Sequence, residues 1–196
     1  MRFAPGAFKF AALPLLGVVP AFFISPGVGG LLLAVGVAIL AFFRDPDRTP
    51  PPSGVVSPAD GKVSVLRMEG DRVRVGVFMN VHDVHVNRAP LGGQIETVEH
   101  EAGGHYPAFS KDSEQNERVR VRFSDHEVTL IAGAFARRIT PYVTDGETVE
   151  RGERIGHIAF GSRADVLLPP GFDRDDVAVD IGDRVRAGET VIAEAD

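Results

Sequence analysis

Glu117-Arg118-Val119-Arg120-Val121-Arg122-Phe123 alternates charged and apolar side chains without a break. A period of two places Val119, Val121 and Phe123 on one face and the charges on the other, as a half-buried strand requires. Working outward, short runs rich in β-branched residues recur at Lys62 to Leu66, Arg72 to Met79, Gln94 to Val98, Glu127 to Ile131, Arg154 to Ile158 and Ala164 to Leu168. Turn-forming residues bound these runs, and no long segment beyond Phe43 carries helical periodicity. The expectation is a mostly β domain.

An internal echo refines that expectation. Gly146-Glu147-Thr148-Val149-Glu150-Arg151-Gly152-Glu153 matches Gly182-Asp183-Arg184-Val185-Arg186-Ala187-Gly188-Glu189 in the pattern Gly-acidic-x-Val-x-x-Gly-Glu. Such turns resemble those of biotinyl and lipoyl carrier domains, so the resemblance implies a barrel-sandwich-like domain. A carrier needs a lysine on an exposed hairpin. The three lysines are Lys9, Lys62 and Lys111, and none lies between the two copies. The echo therefore supports the architecture and argues against a carrier.

The N-terminal part differs in kind. From Phe10 to Phe43 the only polar side chain is Ser25, in Ser25-Pro26-Gly27-Val28-Gly29-Gly30, where a helix cannot continue smoothly. Arg2 and Lys9 precede the run, and Arg44 and Arg48 follow it. Both ends then face the cytoplasm by the positive-inside tendency, which predicts a membrane helical hairpin over residues 1–43. A buried soluble hairpin is the alternative; a cleaved signal peptide fits poorly, because the run is too long. Residues 44–53, with four prolines, read as a stiff linker, and 54–196 as the β domain. The chain carries a net charge of −6 with all its acidic residues beyond the hairpin, so nucleic acid is not an expected partner. It has no cysteine, which excludes thiolate nucleophiles and Cys-based metal sites.

Four positions could carry chemistry. Gly161-Ser162 is a small residue before a hydroxyl between two strand-like runs; it reads as a turn or as a nucleophile. Asp60, in Ser57-Pro58-Ala59-Asp60-Gly61-Lys62, reads as a turn cap or as the carboxylate of an Asp-His-Ser relay. His82 and His85 lie three apart, so they diverge on a strand unless a turn intervenes; Asp83 and Asn87 make a turn plausible. They could be structural, or could bind zinc, although no third ligand stands at metal spacing.

Phe43-Arg44-Asp45-Pro46-x-Arg48, Ser57 to Val63, Phe78-Met79-Asn80-Val81-His82-Asp83-Val84-His85-Val86-Asn87-Arg88, Asn116-Glu117-Arg118 and Phe160-Gly161-Ser162-Arg163-x-Asp165 occur in that order. Together they resemble the short-form phosphatidylserine decarboxylases, including archaeal archaetidylserine-type members, from about Arg44 to the C-terminus. Longer members carry Leu-Gly-Ser-Thr at the cleavage site; this chain has Phe160-Gly161-Ser162-Arg163, as short members do.

The resemblance implies a proenzyme that makes its own pyruvoyl cofactor. Asp60 would orient His85, and His85 would deprotonate Ser162, which attacks the carbonyl of Gly161. The ester so formed eliminates, and hydrolysis releases ammonia. A β chain (1–161) and an α chain (162–196) would result, held together by strand pairing without a covalent link. The pyruvoyl then acts as an electron sink while a serine phospholipid loses its α-carboxylate, with His82 as proton donor or carboxylate-site residue. The loop Gly103 to Ser110 reads as a substrate-side or membrane-facing lid, or as an ordinary surface loop. Arg44 and Arg48 would sit near lipid phosphates. A homodimer or larger assembly is also within what the resemblance implies. Two other readings remain: a membrane-anchored adaptor without chemistry, and a zinc hydrolase using the two histidines. Neither accounts for five motifs in order.

Overall fold

The structure is a computed structural model that describes residues 2–104, 106, 115–133, 139–159 and 162–194. It divides into two compact units, Met1–Asp47 and Arg48–Asp196.

In the first unit a short pair, β1 (Arg2–Phe3) with β2 (Arg44–Asp45), closes a hairpin of α1 (Ala7–Ile24) and α2 (Pro26–Phe42). The break is tighter than the sequence suggests. Ser25 alone leaves the helical region (φ −159°, ψ 119°), and Pro26 opens α2 at a position where its missing N–H costs nothing. Gly29 and Gly36 are where the helices meet. A Cβ at Gly29 would strike the Phe22 ring, and one at Gly36 the Leu15 side chain. Small residues at a helix contact allow this close approach in apolar surroundings. Helix α1 has 18 residues at a mean hydropathy of 2.0, long and apolar enough to cross a membrane. Phe8, Leu13, Leu16, Phe23 and Ile24 are exposed on it.

The second unit is mostly β among its described residues. Its strands are β3 (Val55–Val56), β4 (Gly61–Glu69), β5 (Arg72–Met79), β6 (Val86–Arg88), β7 (Gly93–Glu101), β8 (Arg118–Phe123), β9 (Glu127–Ile131), β10 (Ile139–Pro141), β11 (Thr148–Val149), β12 (Arg154–Ile158), β13 (Ser162–Leu167), β14 (Arg184–Val185) and β15 (Val191–Ala193). Eight form a curled antiparallel sheet in the order β11-β7-β8-β9-β13-β5-β4-β14. A three-stranded sheet, β10-β12-β6, and the pair β15-β3 complete the sandwich-like unit. The expected alternation holds in β8, where Val119, Val121 and Phe123 are buried against Val75, Val77, Val128, Leu130, Ile155 and Ile158.

The opposite face of the sheet carries an arginine–carboxylate layer instead of apolar packing. Arg74 Nε donates to Glu69 at 2.6 Å, and Arg163 Nε to Asp165 at 2.8 Å. Burial holds the Asp165 carboxyl above the usual carboxylate range, with Arg163 opposing it.

Gly61 begins β4 at φ +145°, and a Cβ there would collide with the Phe78 carbonyl oxygen. Gly61→Ala is therefore expected to cost about 3 kcal/mol, the size of a backbone forced into a strained region. Thermal unfolding of an uncut chain should register this as a fall of about 6–12 °C; a midpoint unchanged within error would show that β4 relaxes freely.

Candidate functional site

Three adjacent strands of the large sheet bring the chemistry-bearing segments together. Ser162, the first residue of β13, pairs with Met79, the last of β5. Gly61, the first of β4, lies against Phe78 and Met79, so Asp60 emerges beside the same strand end. The loop from Asn80 to His85 leaves Met79 and enters β6. There Val86 pairs with His157 of β12, and the Ile158 N–H donates to the His85 carbonyl at 3.2 Å. Segments far apart in sequence thus converge because antiparallel pairing aligns the ends of neighbouring strands.

The loop is a turn, as Asp83 suggested. The Asp83 N–H donates to the Asn80 carbonyl at 2.9 Å, and the Asn80 N–H to Asp83 Oδ2 at 2.8 Å. Asn87 plays no part in that turn; it is a fully buried residue of β6. The turn separates the two imidazoles. His82 is exposed, with its Nε2 3.6 Å from Asp83 Oδ1, whereas His85 is buried. His85 Nδ1 lies 3.0 Å from the Asp83 carbonyl oxygen. A carbonyl can only accept, so this bond places the proton on Nδ1 and leaves Nε2 as the basic nitrogen.

Ser162 is fully buried, and its hydroxyl donates to Met79 Sδ at 3.9 Å. The Asn87 amide donates to the same sulfur at 3.5 Å and to the Pro58 carbonyl at 3.4 Å. Alternation within β13 separates the two halves of the Ser162-Arg163-x-Asp165 motif. Ala164 and Val166 share the core side with Ser162, while Arg163 and Asp165 line a cavity of about 440 Å³ on the other side, with Arg67, Arg74, Arg118 and Glu127. Gly161 lies outside the described residues, as do Phe160 and, within the lid segment, His105 and 107–110. At the base of that segment, Asn116 is buried, and its amide donates to the Tyr106 and Ala132 carbonyls at 2.7 Å.

Asp60 is held by a guanidinium and a main-chain N–H. Both its oxygens accept from Arg48 Nη2, at 3.2 and 2.9 Å, and Oδ1 also accepts from the Ala187 N–H at 2.8 Å. Arg48 Nη1 donates to Glu189 at 2.6 Å. The Arg48 side chain is only 9 % exposed and bridges two carboxylates. Burial raises the Asp60 carboxyl above the usual range; the Ala187 N–H and the Arg48 charge pull it back down. The hydrogen-bond partner of His85 Nδ1 is the Asp83 carbonyl. Sequence reasoning missed Met79, Asn87, Ala187 and Glu189 as site neighbours. Met79 and Asn87 stand inside a motif already singled out, but nothing local marks where their side chains point.

Fold and site together present a β unit with a buried serine, a buried imidazole facing a main-chain carbonyl and a buried carboxylate, preceded by an apolar helical hairpin. The family model for phosphatidylserine decarboxylase matches residues 36–193. A Halobacterium salinarum protein, provisionally named archaetidylserine decarboxylase proenzyme, is 58 % identical over 190 residues, covering 96 % of this chain and 97 % of that protein. The phosphatidylserine decarboxylase proenzyme of Thermobifida fusca is 55 % identical over 168 residues, with 81 % and 76 % covered. That of Streptomyces griseus is 51 % identical over 164 residues, with 81 % and 75 % covered. No solved structure matches this chain. The chain belongs to the phosphatidylserine decarboxylase family. It is a decarboxylase, and the adaptor reading has no support.

Proposed function

We propose that this chain is a proenzyme that cuts itself between Gly161 and Ser162, converts Ser162 to a pyruvoyl group, and decarboxylates a serine phospholipid to the ethanolamine lipid. The observation that carries this is the placement of Ser162: fully buried, at the start of β13, beside the loop that delivers His85.

His85, with its proton fixed on Nδ1, takes the Ser162 hydroxyl proton at Nε2. Asp83 fixes the tautomer through its carbonyl, and the charge of Asp60 stabilises the imidazolium that forms. The Ser162 oxygen attacks the Gly161 carbonyl carbon, the C–N bond breaks, and an ester replaces the amide. Loss of the Ser162 α-proton expels the Gly161 carboxylate and leaves a dehydroalanine; one water then enters and one ammonia leaves. Residues 1–161 become the β chain and 162–196 the α chain. The α chain is held from both sides, since β13 pairs with β5 and β9, β14 with β4, and β15 with β3.

The site fits the group it would make. Ser162 is fully buried, and its hydroxyl lies against Met79 Sδ. Once formed, the pyruvoyl supplies an electrophilic carbonyl that draws electrons from the carboxylate-bearing carbon. His82, exposed on the same loop, is suited to meet the incoming headgroup and return a proton to that carbon. The apolar hairpin keeps the enzyme at the membrane where its lipid resides, with the catalytic unit on the cytoplasmic side.

An intact-mass spectrum tests the reading. The expected result is two chains, cut after residue 161, with the smaller lighter by one ammonia than a simple hydrolysis fragment. Vesicles of diacyl and of diether serine phospholipid should then both release carbon dioxide, because the reacting headgroup is shared. A well-folded chain that stays whole would overturn the proposal.

A further inference from the structure

The two copies of the repeated turn share the same main-chain frame and differ in what their last residue holds. In the first copy the Gly152 N–H donates to the Ala89 carbonyl at 2.8 Å; in the second the Gly188 N–H donates to the Ser57 carbonyl at 2.9 Å. The acidic second residue caps the turn in both: Glu147 accepts from the Thr144 N–H at 3.0 Å, and Asp183 from the Asp180 N–H at 2.9 Å. All four glycines have φ between +71° and +99°. The final glutamates then diverge. Glu153 caps its own turn, accepting from the Glu150 N–H at 2.8 Å. At the matching place the Arg186 N–H donates to the Thr190 hydroxyl at 2.9 Å, so Glu189 is released from capping. Its carboxylate reaches Arg48 at 2.6 Å instead, and Arg48 grips both oxygens of Asp60. The same turn also supplies the Ala187 N–H to Asp60.

We propose that the turn from Gly182 to Thr190 is the mount of Asp60, and that Arg48 and Glu189 are positioning residues for self-cleavage. Arg48 holds the Asp60 carboxylate in place and charged, Glu189 holds Arg48, and Thr190 frees Glu189 by taking over the cap. This rests on the reading that the charge of Asp60 supports His85. The fork geometry of a guanidinium suits this bridging, because it can serve two carboxylates at once. A lysine would offer one point charge and a different reach. The charged groups acting on Asp60 are Arg48, through both charge and hydrogen bond, and Asp83, whose charge opposes ionisation; Glu189 acts through Arg48. Burial already pushes the Asp60 carboxyl upward, so without Arg48 its charge would be lost at a higher pH as the solution is acidified. Processing that needs the charge would then fail at a higher pH too.

The test follows self-cleavage of freshly translated full-length chain, by gel and mass, across about pH 5 to 9, a span that brackets the titration of carboxylates and imidazole. Asp60→Asn, Arg48→Met, Arg48→Lys and Glu189→Gln are compared with the wild type, and each is also made in the Ser162→Ala background for thermal unfolding. Arg48→Met is expected to slow cleavage at least about tenfold at neutral pH and to move its acid limb upward by about one unit or more, the usual influence of an adjacent arginine on an aspartate. Arg48→Lys should restore most of the limb position but not the full rate, and Glu189→Gln should shift the limb in the same direction by less. Slowing by the same factor at every pH, with the limb unmoved, would reduce Arg48 to a structural role and overturn the inference. So would wild-type cleavage by Arg48→Met while Asp60→Asn is blocked. Wild-type cleavage by Asp60→Asn would instead overturn the catalytic reading of Asp60 on which the inference stands.

Discussion

Ser162→Ala is expected to accumulate as a single uncut chain of 196 residues with no decarboxylase activity. The substitution removes one oxygen, whose hydroxyl contact is a long one to Met79 Sδ at 3.9 Å. A neutral hydrogen bond contributes about 1 kcal/mol to stability, and one to sulfur at that length less, so the variant should fold. Under the proposed mechanism the loss of function should nevertheless be complete, because that oxygen would be the nucleophile of self-cleavage and the Ser162 carbons would become the cofactor. Mass spectrometry and carbon dioxide release from serine-phospholipid vesicles read the two effects separately. A Ser162→Ala chain that still splits, or still releases carbon dioxide, would remove Ser162 from the mechanism.

The second large effect is expected at His85. Glutamine can keep a donor near the Asp83 carbonyl that now receives His85 Nδ1–H, yet it has no basic nitrogen to accept the Ser162 proton. Loss of a general base slows a reaction by about 10²- to 10⁴-fold, so His85→Gln should lengthen the half-time of self-cleavage by that factor. The fold should survive, because the Ile158 N–H bonds the main-chain carbonyl of residue 85, which the substitution leaves in place. A half-time within tenfold of the wild type would place the base elsewhere. His82, exposed on the same loop, makes the natural comparison: its substitution should spare self-cleavage and weaken decarboxylation.

Much of the architecture was legible because it follows from local periodicity. The alternation in Glu117 to Phe123 located β8, and similar runs located β4, β5, β7, β9, β12 and β13. The apolar run interrupted at Ser25 located the hairpin, whose break is that single non-helical residue. Short strands such as β6, β11 and β14 escaped notice, since two or three residues carry no measurable period. The candidate residues Asp60, His82, His85 and Ser162 stood out only through ordered motifs, because composition and spacing left each with an ordinary structural reading.

The sequence by itself determined a β domain behind an apolar hairpin, a repeated turn, and the residue types able to perform serine-based chemistry. These are properties of neighbours along the chain, where side-chain period and backbone preference act directly. Only the tertiary structure decided that Asp60 is gripped by Arg48, that Arg163 and Asp165 lie across the sheet from Ser162, and that two like glutamates have different tasks. Arg48 and Glu189 are 141 residues apart, and no local pattern encodes such a pairing. It exists because folding brings both charges out of water beside a third, where an unpartnered charge would be far costlier than three that share hydrogen bonds.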